Sequence, residues 1–281
     1  MKYIFLIFLL ASSIFGFEYK ISTKNISNGK TALLEFSKNI NIVYESIEIL
    51  GIKYKIYDNY VLVPISYYET PKQVDIKVNY RDYAKSKSKI ITVNVIKGNY
   101  KQEKIYVEKS KVKLNKKDKK RAAKEYKAAT DIYNTITPKL YINKKFIMPL
   151  NSKITSSFGN ARVYNGSLNG YHSGTDFRAK VGTPLINSND GVVVLVQDRF
   201  YSGGSVIIDH GHGIYLCYYH MSKFSVKVGD RLKQGDVIGL SGVSGRVTGP
   251  HLHFSARVGG IQVDPLQVID LLNKNILNKK D

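Results

Sequence analysis

Gly249-Pro250-His251-Leu252-His253-Phe254 is the stretch from which the chain can be read. Two histidines two apart on an extended segment point to the same face of a strand, ~6–7 Å from each other. Leu252 and Phe254 take the opposite face and turn toward a core, while Gly-Pro sets the entry. A pair placed in this way can supply one metal ligand and one acid–base group to a single site. The missing partners must come from elsewhere, and His172-Ser173-Gly174-Thr175-Asp176 offers them. In a straight strand His172 and Asp176 would lie ~13 Å apart, too far to share an ion; Gly174 between them permits a bend.

A hydrolytic zinc centre needs three protein ligands and an open position. His172, Asp176 and His253 form such a set, and two imidazoles with one carboxylate leave net positive charge on the ion. That charge lowers the pKa of bound water and polarises a carbonyl. His251 and His220 have the character for proton transfer or for stabilising a developing oxyanion. His220 ends the strand-like run 215–219, which can carry it to the edge of a groove. His210-Gly211-His212 is a spaced pair as well, but its glycines read as a hairpin tip, which would hold ligands loosely. A nucleophilic pair of Cys217 and His220 fails, because side chains three apart on a strand emerge on opposite faces. Cys217 is the only cysteine, so it reads as packing and no intrachain disulfide is available.

Around these motifs, from Met148 onward, glycines are frequent and strand-like runs recur at 192–196, 205–208, 214–219, 237–240 and 252–254. Turn pairs such as Asp190-Gly191 and Gly203-Gly204 separate them. An antiparallel β domain over 147–270 is expected, with a tail at 271–281. All six histidines fall inside it. Upstream, residues 101–145 carry 15 Lys/Arg against five acids. Residues 117–134 within that stretch are rich in Ala and Lys and lack Gly and Pro, which favours a helix ending before Pro138. The basic linker, 109–146, reads as a solvated helix or as a docking surface for an anionic envelope polymer.

Before it, residues 17–108 alternate short β-branched runs with turn signals such as Asn28-Gly29 and Tyr57-Asp58-Asn59. That spacing suggests a β-sandwich, immunoglobulin-like, serving to position or shield. The fold class is therefore mainly β in both domains. Residues 1–16 hold Lys2 and then an apolar run with small residues, the length of a signal-peptide core and too short to span a membrane. The mature chain is expected to be exported and soluble. Its net charge of +21 attracts polyanions. A nucleic-acid partner would rest on charge alone and leaves the histidines without a role.

The assembled residues resemble the lysostaphin/LytM-type zinc endopeptidases that cut peptidoglycan cross-links. The resemblance covers roughly 148–265 and rests on several motifs. Phe158-Gly159-Asn160-Ala161-Arg162 with Tyr164-Asn165-Gly166 is similar to the family's opening segment. His172-Ser173-Gly174-Thr175-Asp176-Phe177 matches its first ligand motif, Tyr218-Tyr219-His220-Met221 its aromatic-x-His motif, and the run from Gly242 to Phe254 its most specific one. Val263-Asp264-Pro265 resembles the segment that closes the domain. Ser255 departs from the pattern, since many relatives carry an acid after His-Leu-His-Phe.

The resemblance implies Zn2+ held by His172, Asp176 and His253, with His220 and His251 catalytic. Arg162 and Asn165 are candidates to line the substrate groove. It implies a periplasmic hydrolase of peptidoglycan stem-peptide or cross-link amides, a D,D-endopeptidase with carboxypeptidase action as a second mode, serving wall remodelling, cell shape or division. The alternative is a non-catalytic regulator of this fold that activates cell-wall amidases. In Gram-negative members the N-terminal module often sits against the groove, and here Tyr133 and Tyr141 are candidates to plug it.

Overall fold

Alternating burial along the strands shows how local sequence becomes architecture. In Lys72–Asp82 every second side chain from Val74 to Tyr80 is buried, the period of a strand with one wet face. The computed structural model describes residues 16–107, 110, 113–166 and 168–277. The leader expected at 1–16 lies outside them except for Gly16, as do 108 at the end of the N-terminal segment, 109 and 111–112 of the linker, and 278–281 of the tail.

The N-terminal half contains β1 (Tyr19–Ile21), β2 (Asn25–Ser27), β3 (Thr31–Phe36), β4 (Ile42–Ile49), β5 (Ile52–Lys55), β6 (Tyr60–Pro64), β7 (Lys72–Asp82) and β8 (Lys85–Ile96). They form a five-stranded sheet, β2-β8-β7-β4-β5, and a three-stranded sheet, β1-β3-β6. Side chains of both sheets, among them Leu34, Val61, Ile47, Ile76 and Val93, share one core. Next come β9 (Gln102–Ile105) and the helix α1 (Lys116–Tyr133). Asn115 caps α1 by accepting from the Asp118 amide at 2.8 Å. Only Glu125, Ala129 and Tyr133 of this helix are buried. The Glu125 carboxylate accepts from the Phe200 amide at 2.7 Å and from Arg121 at 2.6 Å, which moors the helix to a turn of the C-terminal domain.

That domain comprises β10 (Ile154–Ser156), β11 (Ala161–Tyr164), β12 (Leu168–Tyr171), β13 (Thr175–Arg178), β14 (Pro184–Ile186), β15 (Gly191–Arg199), β16 (Gly203–Asp209), β17 (Ile214–Phe224), β18 (Arg231–Leu232), β19 (Val237–Ser241), β20 (His251–Val258), β21 (Ile261–Val263) and α2 (Pro265–Asn275). The main sheet runs β10-β13-β20-β17-β16-β15-β18, with β14, β19 and β21 attached at its sides. The chain is mainly β, as its patterning predicts.

Two elements cross the boundaries expected from composition. Strand β9 pairs in parallel with β11, so a piece of the 17–108 segment belongs to a C-terminal sheet. Helix α2 runs on to Asn275, and its Leu271 and Leu272 are core residues. The two halves also share packing: Leu33, Tyr60 and Leu62 lie in the same cluster as Leu252, Phe254 and Val268. Gln267 of α2 donates to the Thr31 carbonyl and accepts from the Thr31 amide, at 2.9 and 3.0 Å.

Candidate metal centre

Strand register assembles the centre. In the antiparallel pair of β13 and β20, Asp176 stands directly across from His253. On the other side of β20, Tyr219 of β17 stands across from His253 and lies parallel to its ring at 5.6 Å. His172 enters from the segment before β13, its backbone bonded to Asn160 and Gly159. Its Nε2 lies 2.9 Å from Asp176 Oδ1 and 3.0 Å from His253 Nδ1, and the third edge, His253 Nδ1 to Asp176 Oδ1, is 2.8 Å. All three residues are buried. Gly174 does not provide a left-handed bend; it provides room. A Cβ there would fall 2.4 Å from the Phe254 carbonyl and 2.6 Å from His253 Nε2.

The donor chemistry fits a cation. His172 Nδ1 is 2.9 Å from the Ser157 carbonyl, an acceptor only, so the ring proton sits on Nδ1 and Nε2 presents its lone pair to the triangle. A carboxylate oxygen and two imidazole nitrogens within about 3 Å of one another are mutually unfavourable without a shared cation or proton, and they suit a borderline-soft ion such as zinc. Burial alone would raise the Asp176 carboxyl, but the neighbouring His172 and His253 rings outweigh it and hold the group well below its usual range. Burial brings the His253 imidazole down to about 4, despite its bond to Asp176. Both groups are thus held in the protonation states that a metal requires.

His220 and His251 face one another at the rim, ring centroids 4.8 Å apart. Each is pinned through Nδ1 to a backbone carbonyl, His220 to Ser244 and His251 to Gly249, both at 2.8 Å. Those bonds place the ring proton on Nδ1 and leave Nε2 free for chemistry. His251 Nε2 is 3.6 Å from Asp176 Oδ1. Burial, followed by the neighbouring His251 and His253, lowers the His220 pKa well below its ordinary value. His220 also has φ of +63°, which is uncommon for a side-chain-bearing residue and breaks the ladder there.

Arg162 of β11 reaches the centre, its guanidinium 3.0 Å from Asp176 Oδ2 and 3.1 Å from Glu103 Oε2. Asn165 does not line the groove, because its side-chain amide is bonded to both the amide and the carbonyl of Val107, at 3.0 and 2.9 Å. Tyr133 and Tyr141 do not plug the cleft either. Neither lines the cleft that holds His220 and His253: Tyr133 is buried beyond Tyr219, its hydroxyl 2.9 Å from that of Tyr219, and the Tyr141 backbone is bonded to His210. Ser255, in the place where an acid was expected, donates to the Ser173 carbonyl at 3.0 Å and so fixes the loop between the candidate ligands.

The pair at 210 and 212 stands apart from the centre. His210 is fully buried and bonds the Asp190 carbonyl through Nδ1 at 2.8 Å. His212 donates through Nε2 to the Pro138 carbonyl at 2.9 Å, accepts from the Tyr60 hydroxyl at 2.8 Å and stacks on Tyr57 at 4.5 Å. The hairpin tip is a docking point for the N-terminal half. Cys217 is buried against Tyr133.

Sequence reasoning missed Glu103. On β9 it accepts from Ser156 at 2.8 Å and Asn160 at 2.7 Å as well as from Arg162, and Ser156 Oγ lies 2.9 Å from His172 Nδ1. Burial would raise this carboxyl, but these donors lower it. A lone acid in a lysine-rich stretch carries no spacing signal; only the pairing of β9 with β11 places it here.

Fold and site together define a metallohydrolase type of centre built on an antiparallel sheet. Residues 170–265 match Peptidase family M23, and the C-terminal part of this chain is an M23 peptidase domain. Over 122 residues the chain is 43% identical to the peptidoglycan DD-endopeptidase ShyA of Vibrio cholerae, a match covering 42% of this chain and 28% of that protein. It is 42% identical over 97 residues to the DD-carboxypeptidase/endopeptidase Mpg of Neisseria meningitidis, covering 34% of this chain and 22% of that one. The chain thus spans less than a third of the length of these curated relatives. A crystal structure from Pseudomonas aeruginosa described as a peptidase M23 superposes with a TM-score of 0.66 at 25% identity. That match covers 86% of this chain and 94% of the other, so the likeness extends into the N-terminal strands.

Proposed function

We propose that the protein is an exported zinc metallopeptidase that hydrolyses amide bonds in peptidoglycan stem peptides or cross-links. The observation that carries this reading is the triangle of His172 Nε2, Asp176 Oδ1 and His253 Nδ1, with edges of 2.8–3.0 Å, beside two imidazoles whose Nε2 atoms are free. Zinc held by those three residues would lower the pKa of water toward neutrality and polarise a carbonyl. The protein's own groups do the rest. His251 and His220, fixed through Nδ1, accept a proton from the attacking water and deliver it to the leaving amine. Their N–H groups, once formed, stabilise the developing oxyanion. Arg162 neutralises the outer oxygen of Asp176 and leaves Oδ1 beside His172 Nε2 and His253 Nδ1, where it would serve as a zinc ligand.

Relatives named as DD-endopeptidases and a DD-carboxypeptidase/endopeptidase support a D,D bond as the target and a second, carboxypeptidase mode. Roles in wall remodelling and cell shape follow from that chemistry. A periplasmic location fits the substrate, and no helix among the described residues is long and apolar enough to cross a membrane. The lysines of α1 at 116, 117, 119, 120, 124 and 127 are exposed, which supports contact with an anionic envelope surface. A non-catalytic activator would have no need of three convergent donors and two tautomer-locked imidazoles.

Zinc content and sacculus hydrolysis test the reading. Wild type should carry about one zinc per chain and release muropeptides, and His253→Ala should lose both. Digestion of sacculi by His253→Ala at the wild-type rate would overturn it. Cleavage by a protein beginning near Met148, compared with the mature chain, measures whether the N-terminal half restrains the site; equal rates would exclude restraint.

A further inference from the structure

Arg246 stands in the same cleft as His220 and His253, on the loop that joins β19 to β20. Its guanidinium carbon lies 4.4 Å from the ring centroids of both Tyr164 and Tyr201. Contact with two aromatic rings orients the planar group and engages its faces, while its N–H fork stays unspent. Among the described residues the Arg246 side chain has no ion-pair partner and donates no hydrogen bond. Arg162, in the same cleft, is different: Glu103, Ser156 and Asp176 already take its N–H groups.

The loop is rigidly held. The Arg246 amide donates to the Tyr201 carbonyl at 2.8 Å. Ser244 Oγ accepts from the Gly204 amide and donates to the Met221 carbonyl, each at 2.9 Å. Gly245 has φ of +81°, and a Cβ on it would meet the Tyr201 carbonyl at 2.5 Å. The Ser244 carbonyl that locks His220 is thus only two residues from Arg246, and the two side chains keep one spacing.

We propose that Arg246 is a carboxylate receptor that selects substrates by a free carboxylate on the peptide. This rests on the peptidase reading and names what that cleft recognises. A planar fork fits a carboxylate with two parallel hydrogen bonds, a geometry that an amide oxygen does not match. The partner is a carboxylate of the bound peptide because the fork opens into the cleft that holds the hydrolytic groups. Among the described residues no acid is paired with it, and Asp176 in the same centre is engaged by Arg162, His172 and His253.

The test uses two cross-linked muropeptide dimers, one with all peptide carboxylates free and one with all of them amidated. Wild type should show a kcat/KM at least about tenfold higher for the free dimer, as expected for a charge-assisted bond. In Arg246→Gln that ratio should fall to about one through a rise in KM for the free dimer, with zinc stoichiometry retained. Arg246→Lys, which keeps the charge and loses the fork, should give an intermediate ratio. A wild-type ratio of one, or a wild-type ratio retained by Arg246→Gln or, should that variant not fold, by Arg246→Lys, would overturn the proposal. Wild type that cleaves neither dimer would instead count against the peptidase reading.

Discussion

His210 allows a pH dependence to be worked from structure. The side chain is fully buried, donates through Nδ1 to the Asp190 carbonyl, and its Nε2 has no partner among the described residues. Burial pushes its pKa from the ordinary 6.5 down to about 4, with the Asp190 contacts opposing. A histidine depressed in the folded state is neutral there while the unfolded chain takes up a proton. Its contribution is therefore fully present above pH 6.5 and is lost as pH falls toward 4. The gap corresponds to about 3 kcal/mol in all, and roughly 2 kcal/mol of it is gone by pH 5. His210→Asn keeps a donor near the Nδ1 position and removes the titration. Urea denaturation of the zinc-loaded protein at pH 7.5 and pH 5 reads the effect. The variant should be less stable at pH 7.5, because the ring's packing against Phe146 is lost. Wild type should then lose about 2 kcal/mol more than the variant on going to pH 5. The difference between the two proteins cancels the acid sensitivity of the metal centre. Equal losses in both would show that His210 is not held neutral by burial.

Other outcomes follow from the same contacts. Gly174→Ala should weaken zinc binding by one to two orders of magnitude, roughly the range for disturbed metal-site support, because its Cβ collides with His253; a chelator competition assay reads this, and unchanged affinity would refute the close-approach account. Glu103→Gln removes the charge that balances Arg162 and braces Ser156 under His172, and should cost about tenfold in zinc affinity with the fold intact by circular dichroism. Tyr60→Phe breaks the bond to His212 and should lower stability by about 1 kcal/mol without changing zinc content.

Several parts of this molecule could be read from local sequence. The period of two in Lys72–Asp82, the Ala/Lys run that became α1, and His251 and His253 two apart on β20 are signals carried within a dozen residues. The three candidate ligands share that legibility, because their residue types and spacings admit few other uses. Other features needed the fold. Asn165 appears in a groove motif, yet its amide holds Val107. Arg162 and Arg246 are both arginines in motif segments, and only contacts show that the first is spent while the second has no ion-pair partner among the described residues. Glu103 reaches the centre through a parallel pairing across nearly sixty positions, which no local pattern encodes.

The division has a physical cause. Periodicity and side-chain chemistry are properties of short segments, so the sequence by itself determined strands, the helix, the candidate ligand set and the class of chemistry. Register between distant strands, the tautomer of each histidine and the engagement of each charged group depend on which backbone carbonyls and side chains arrive beside them. Those neighbours exist only once β9, β11, β13, β17 and β20 have come together, and the tertiary structure alone decided them.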